Sequence, residues 1–163
     1  MNKWTVWNKY PLPLIKELIA HLQRKVWFTK FDVHWGYNNV RIKNGDQWKA
    51  AFKMNQGLFE PTVMFFRLTN LPATFQTMMD DIFRHEIATG CIIIYMDDIL
   101  IATSGTLNMH KSHVSHVFIK LMDNDLYLKP EKCEFHKKEV EYLGVIVGNG
   151  RSEERRVGKE CLE

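Results

Sequence analysis

The chain has 163 residues, 45% of them hydrophobic and 25% charged, with a formal net charge of +3. That is enough apolar material for one compact core, nothing in the pattern marks a second domain or a repeat, and no run is long enough to span a bilayer. The mildly basic average permits a phosphate-bearing partner without arguing for one, since such binding needs clustered charge. The cysteines Cys91, Cys133 and Cys161 form no spaced pair, which points to reduced thiols in an intracellular compartment.

In chain order, Leu12, Ile15, Leu18, Ile19 and Leu22 recur at helical spacing, predicting an amphipathic helix over 12–24 with Pro13 in its first turn. A strand over 26–32 follows, in which alternation puts Val26, Phe28, Lys30 and Asp32 on one face. Residues 34–39 read as a short turn or helical step. Asn44-Gly45 is a hairpin signal joining 40–42 to the segment around 48–54. Pro72 opens a second helix whose stripe, Phe75, Met78, Met79, Ile82, Phe83 and Ile87, stops at Gly90. A third stripe, Val114, Val117, Phe118, Leu121 and Met122, marks another helix, and 140–147 reads as strands around Gly144. The order suits an α+β fold, an antiparallel sheet with helices packed on one face.

The chemistry lies between those last two helices. Tyr95-Met96-Asp97-Asp98 interrupts an otherwise apolar run over 91–102, and adjacent carboxylates in such a setting repel unless a cation holds both ionised. Mg²⁺ prefers oxygen ligands of this kind, although two aspartates at a hairpin tip are also ordinary turn residues. Asp32 supplies a third carboxylate if its strand lies beside this hairpin. Three converging carboxylates can hold two Mg²⁺ ions against the attacking and leaving oxygens of a phosphoryl displacement.

Seven blocks then carry a resemblance: NKYPLPLI (8–15), FTKFDVHWGYNNVRI (28–42), KAAFKMNQGLFEPTVMFF (49–66), LTNLPATFQTMM (68–79), IIIYMDDILIAT (92–103), LYLKPEKCEF (126–135) and VEYLGVIV (140–147). In this order and spacing the chain resembles the reverse transcriptase of gypsy-type long-terminal-repeat retrotransposons over residues 1–150. The resemblance implies a right-hand polymerase palm with part of the fingers, acting as an RNA-directed DNA polymerase. It implies Asp32, Asp97 and Asp98 as catalytic carboxylates, with the Val33 backbone joining them as a metal ligand around two Mg²⁺ ions, Mn²⁺ being a possible substitute. Lys132 would serve the pyrophosphate leaving group. Val33, His34, Trp35, Gly36 and Tyr37 would contact the deoxynucleoside triphosphate, Tyr37 as the ring that excludes a 2′-OH, with Phe66, Arg67 and Gln76 beside them. Tyr142, Leu143 and Gly144 match the primer grip. The implied partners are a primed RNA or DNA template and deoxynucleoside triphosphates, with no membrane, in a cytoplasmic retroelement particle; no interface marks an oligomeric state.

Other groups read as scaffold. His110, His113 and His116 drift round a helix without a cysteine or carboxylate set, so they are expected on a solvated face rather than around zinc. Asp80-Asp81 is expected on the polar side of the second helix. The scattered tryptophans read as packing, with Trp35 as a template-side contact. Arg67 stands where the family pattern has a glycine that lets the backbone approach the nucleotide. The chain starts after the block bearing the family's basic fingers residues, and the thumb, connection and ribonuclease H regions do not follow. These departures leave a second reading, an inactive remnant that keeps the palm fold. Residues 151–163 read as a disordered tail, and RSEERRVGKEC resembles a translated sequencing-library adapter, which implies non-native sequence.

Overall fold

In the computed structural model the described residues are 6–22, 24–66 and 68–148, with the backbone of one further strand at Arg151–Glu154. The centre is β1 (Trp27–His34), antiparallel along its length to β5 (Asp98–Thr103), which pairs outward with β4 (Ile92–Tyr95). The opposite edge of β1 is shared by β6 (Tyr127–Leu128) and β7 (Glu134–Lys137). Both faces of β1 carry packed layers. Phe31 and Val33 pack with Phe75, Met79, Phe83, Val114, Val117 and Leu121 from α2 (Leu71–Ile82), α4 (Leu107–Asp123) and the residue after α2. Phe28, with Leu100 and Ala102, meets Val140, Tyr142 and Val147 from β8 (Glu139–Tyr142) and β9 (Val145–Gly148), and Leu22 after α1 (Ile15–Ala20). The α+β architecture with α2, α3 (Arg84–Ala88) and α4 on the sheet is as expected.

Several elements differ from the expectations. The first helix is six residues long: Leu14 is extended at one end (ψ 125°), and Arg24 takes φ 69° beyond the other. The Asn44-Gly45 hairpin does not form. Segment 40–42 instead binds 62–64, with Met64 N–H on the Val40 carbonyl (2.8 Å) and Ile42 N–H on the Thr62 carbonyl (3.0 Å). The hairpin is displaced to β2 (Phe52–Met54) and β3 (Gly57–Phe59). The second helix splits at Phe83, whose ψ of 19° leaves the helical region, yet the ladder persists through Phe83 N–H to Met79 (3.0 Å) and Ile87 N–H to Phe83 (2.9 Å).

On α4 the buried row is His110, Val114, Val117 and Leu121, while Phe118 and Met122 are exposed. His110, expected in solvent, is fully buried: Nε2 bonds Thr29 Oγ1 (2.8 Å) and Nδ1 bonds Thr103 Oγ1 (3.0 Å), tying β1 to β5. A helix wheel counts histidine as polar and so missed a ring whose two nitrogens are satisfied internally. Finally, the tail expected from residue 151 begins as a strand, β10 (Arg151–Glu154), paired antiparallel to β9; backbone pairing needs no apolar side chains. Residues 155–163, with the rest of the adapter-like stretch, lie outside the described residues.

Candidate active site

The register of the central sheet assembles the site. Asp32 ends β1 directly opposite Asp98, which starts β5, so two carboxylates from distant sequence become neighbours. Tyr95 pairs with Asp98, leaving Met96 and Asp97 as a two-residue turn. Met96 has φ 58° while Asp97 does not share the positive φ, the pattern of a II′ turn that normally asks for glycine first. Val33 N–H donates to the Asp97 carbonyl (2.9 Å), holding this turn against β1.

Each carboxylate already has company. Asp32 is mostly buried; Lys129 Nζ lies 2.7 Å from its Oδ1 and Lys132 Nζ 3.6 Å from its Oδ2. The Lys129 contact is a close ion pair without hydrogen-bond alignment, since Oδ1 is buried and has no aligned donor. The contact with Asp32 raises the Lys129 pKa above its ordinary value, against the opposing effect of burial. Lys129 N–H donates to the Asp32 carbonyl (2.9 Å), fixing the lysine-bearing turn to the strand end. Asp98 has Lys30 Nζ at 3.9 Å, and its pKa is raised, first by burial and then by Asp97 and Asp32, against the opposing pull of Lys30. Tyr37 OH reaches Asp97 Oδ1 at 3.5 Å, and burial, reinforced by Asp97, pushes the phenol up to about 12.

Tyr37 is fixed by rings and by a missing side chain. It meets Phe75 (centroids 5.0 Å apart) and Phe66 (5.4 Å), both edge-on. A Cβ on Gly36 would lie 2.6 Å from the Phe75 ring, so only glycine lets the chain pass this close. Trp35 is 70% exposed and at φ 51°, presenting its ring outward, and His34 packs beside it at 4.8 Å. Phe66 is also exposed. Arg67 lies outside the described residues.

Four expectations need correction. Among the described residues no three acidic, histidine or cysteine side chains converge closely enough to hold an ion as they stand, because Asp32 is turned to the lysines. Val33 cannot offer its amide to a phosphate, since that N–H is spent on Asp97. Gln76 is not a pocket residue: it is 1% exposed, and its Oε1 accepts from Met96 N–H at 2.8 Å. The Tyr142 ring is fully buried, with its OH donating to the Asp98 carbonyl (3.2 Å), so it supports the start of β5 and its ring is not at the surface. Leu143 and Gly144, at φ 51° and 78°, form the tight turn beyond it.

The residues nevertheless fit a divalent cation. Asp32 Oδ1 is a buried oxygen without an aligned donor, approached by an ammonium, and Asp97 and Asp32 both push the Asp98 pKa upward. This is a repulsion between neighbouring carboxylates that a divalent cation relieves. Sequence reading missed Lys129 and Lys30 as the present counter-charges, although Lys30 had been placed on the Asp32 face.

The family model for reverse transcriptase (RNA-dependent DNA polymerase) matches residues 1–147. The chain belongs to the reverse transcriptase family. It is 38% identical over 144 residues to the transposon Tf2-3 and Tf2-7 polyproteins of Schizosaccharomyces pombe (strain 972 / ATCC 24843), a match that covers 88% of the chain and 11% of each polyprotein. The chain thus spans about a ninth of the length of these relatives. Among solved structures it resembles the foamy viral protease-reverse transcriptase in complex with RNA/DNA hybrid (TM-score 0.81, 23% identity, 90% of this chain and 20% of that one). It also resembles the foamy viral enzyme dRH in complex with ds DNA (TM-score 0.84, 22% identity, 93% and 26%). These likenesses show that the sheet and helices are a reverse transcriptase polymerase fold. No helix among the described residues of this reverse transcriptase domain is long and apolar enough to cross a membrane.

Proposed function

We propose that this chain is the palm, with part of the fingers, of an RNA-directed DNA polymerase within a retrotransposon polyprotein, adding deoxynucleotides to a primer 3′-OH on an RNA or DNA template. The observation that carries this reading is the pairing of Asp32 with Asp98 across β1 and β5, with Asp97 on the adjoining turn. Asp32, Asp97, Asp98 and the Val33 backbone would hold two Mg²⁺ ions, or Mn²⁺ in their place. Such ions supply charge for the attacking and leaving oxygens of the displacement.

The chain's own groups divide the remaining work. Lys132, exposed and 3.6 Å from Asp32, is free to follow the departing pyrophosphate and supply it with charge or a proton. The Tyr37 ring, fixed between Phe75 and Phe66, would meet a ribose 2′-OH and so select deoxynucleotides. The backbone of 34–37 and the exposed Phe66 border the space for the triphosphate and base, with Arg67 next in sequence. The Leu143-Gly144 turn would hold the primer end through backbone groups. Trp35 is the template-side ring. Foamy viral relatives solved on RNA/DNA hybrid and on ds DNA support a duplex partner. The polyprotein relatives support a setting in an assembling element, in the cytoplasm by analogy.

The sequence itself favours a second reading at one position, because Arg67 replaces a glycine of the family pattern; on that reading the chain is an inactive remnant. Primer extension on a homopolymer template decides between them, with Asp97→Asn as the control. A Mg²⁺-dependent product from the wild type that Asp97→Asn abolishes supports the polymerase. No product even after Arg67→Gly and restoration of the fingers leaves the remnant. Ribonucleotide incorporation that appears only in Tyr37→Ala assigns the sugar gate.

A further inference from the structure

The turn that carries Asp97 is held from behind by one side chain. Met96, a non-glycine residue at φ 58°, donates its N–H to Gln76 Oε1 at 2.8 Å. Gln76 Nε2 in turn donates to the Ile94 carbonyl (3.2 Å) and to Asp80 Oδ1 (2.9 Å). A carboxamide fits its space in two orientations related by a flip, and only its partners choose between them. Here the choice matters, because the flipped amide would set an NH₂ against the Met96 N–H. Asp80, as a carboxylate, accepts only, and a charged acceptor outweighs the longer contact to Ile94.

Asp80 is itself anchored from afar. Its Oδ2 accepts from the Tyr10 hydroxyl at 2.6 Å, across a sequence separation of 70 residues. That contact pushes the Tyr10 phenol up to about 12, keeping it a donor. The segment bearing Tyr10 is tied to the start of α2, where Asn8 N–H donates to Asn70 Oδ1 (3.0 Å) and Asn70 Nδ2 to the Val6 carbonyl (2.8 Å). Asp80-Asp81, read from sequence as a solvated pair, therefore splits: Asp81 faces Arg84 at the surface, while Asp80 faces inward to Gln76.

We propose that Asp80, held by Tyr10, is a positioning residue that fixes the amide orientation of Gln76 and through it the backbone of the Met96-Asp97 turn. The relay Tyr10–Asp80–Gln76–Met96 makes the N-terminal segment part of the support of the catalytic turn. Its importance for polymerisation rests on the function proposed above, whereas its geometry does not.

Amide hydrogen exchange at Met96, followed by NMR on this chain without metal or nucleic acid, tests it independently of activity. Asp80→Leu is expected to speed Met96 exchange by about tenfold, the worth of one hydrogen bond, while Leu100 in the same hairpin is unchanged. Asp80→Asn, whose oxygen can still accept from Gln76 and whose NH₂ can donate to the Tyr10 oxygen, restores protection; Tyr10→Phe gives a smaller increase of about two- to threefold. Unchanged Met96 exchange in Asp80→Leu overturns the proposal, as does a parallel rise at Leu100, or a loss in Asp80→Asn as large as in Asp80→Leu. If Asp80→Leu does not fold, Tyr10→Phe decides alone, with no change at Met96 counting against the relay. Failure of primer extension with the exchange pattern intact would remove the polymerase reading and leave the relay standing.

Discussion

Strand β1 carries two polar clusters built on opposite principles. Around Thr29, His110 bonds two threonine hydroxyls and packs against His136, and the ring is fully buried. Around Asp32 the partners are the ammonium groups of Lys129, partly buried, and Lys132, exposed, and one carboxylate oxygen lacks an aligned donor. A neutral ring satisfies both hydroxyls in the first cluster, so it is a lock between β1 and β5. The second is held by charge alone, and lysines on flexible stems can yield to another cation. One strand thus combines a fixed polar contact that stabilises with a loose one suited to chemistry.

The comparison can be broken from either side. The largest effect is expected on the charged cluster: Asp32→Asn should cut primer extension by at least about a hundredfold while moving the urea midpoint little, because the amide keeps the carboxylate's shape and relieves its repulsion of Asp98, which offsets the ion pairs it loses. The neutral cluster should behave in reverse. His110→Ala is expected to cost about 3 kcal/mol, through the cavity, the stranded Thr103 hydroxyl and the lost bond to Thr29, which keeps only the His136 N–H, read as a lower urea midpoint. Acid should reach the same lock. Burial holds His110 down at about 4, below the ordinary histidine value of about 6.5, so the unfolded chain takes up the proton first as pH falls. Its contribution is therefore complete above about 6.5 and is lost towards 4, amounting to at most about 3 kcal/mol. Urea titrations across that window should show a steeper decline in the wild type than in His110→Gln. The smallest effect is on Lys129→Met: Lys132 stays beside Asp32, and Mn²⁺ is bound about two- to fivefold more tightly by calorimetry, since a competing cation is gone.

The strands that carry Asp32 and Asp98 are legible in the sequence because their signals are local. Alternation in β1, an apolar run broken by two aspartates and a helix opened by Pro72 all survive in the structure. What failed depended on partners distant in sequence. Asn44-Gly45 has turn chemistry, yet 40–42 finds its hydrogen bonds with 62–64. His110 and Asp80 are polar letters in a helical pattern, and only the packed fold reveals that Thr29, Thr103, Tyr10 and Gln76 await them. Tyr142 and Gln76 were expected to face a primer and a nucleotide, yet both are buried behind the Met96-Asp98 backbone, since family position says nothing about which way a side chain is spent. Lys129 lies outside any motif that chemistry alone would single out.

Gly36 sets a constraint of a different kind. A Cβ there would enter the Phe75 ring, and that same ring holds the edge of Tyr37. Positions 36 and 75 therefore cannot drift separately: a larger residue at 36 demands a smaller one at 75, and Tyr37 then loses a wall. In any set of descendants of this element, the three should change together or not at all.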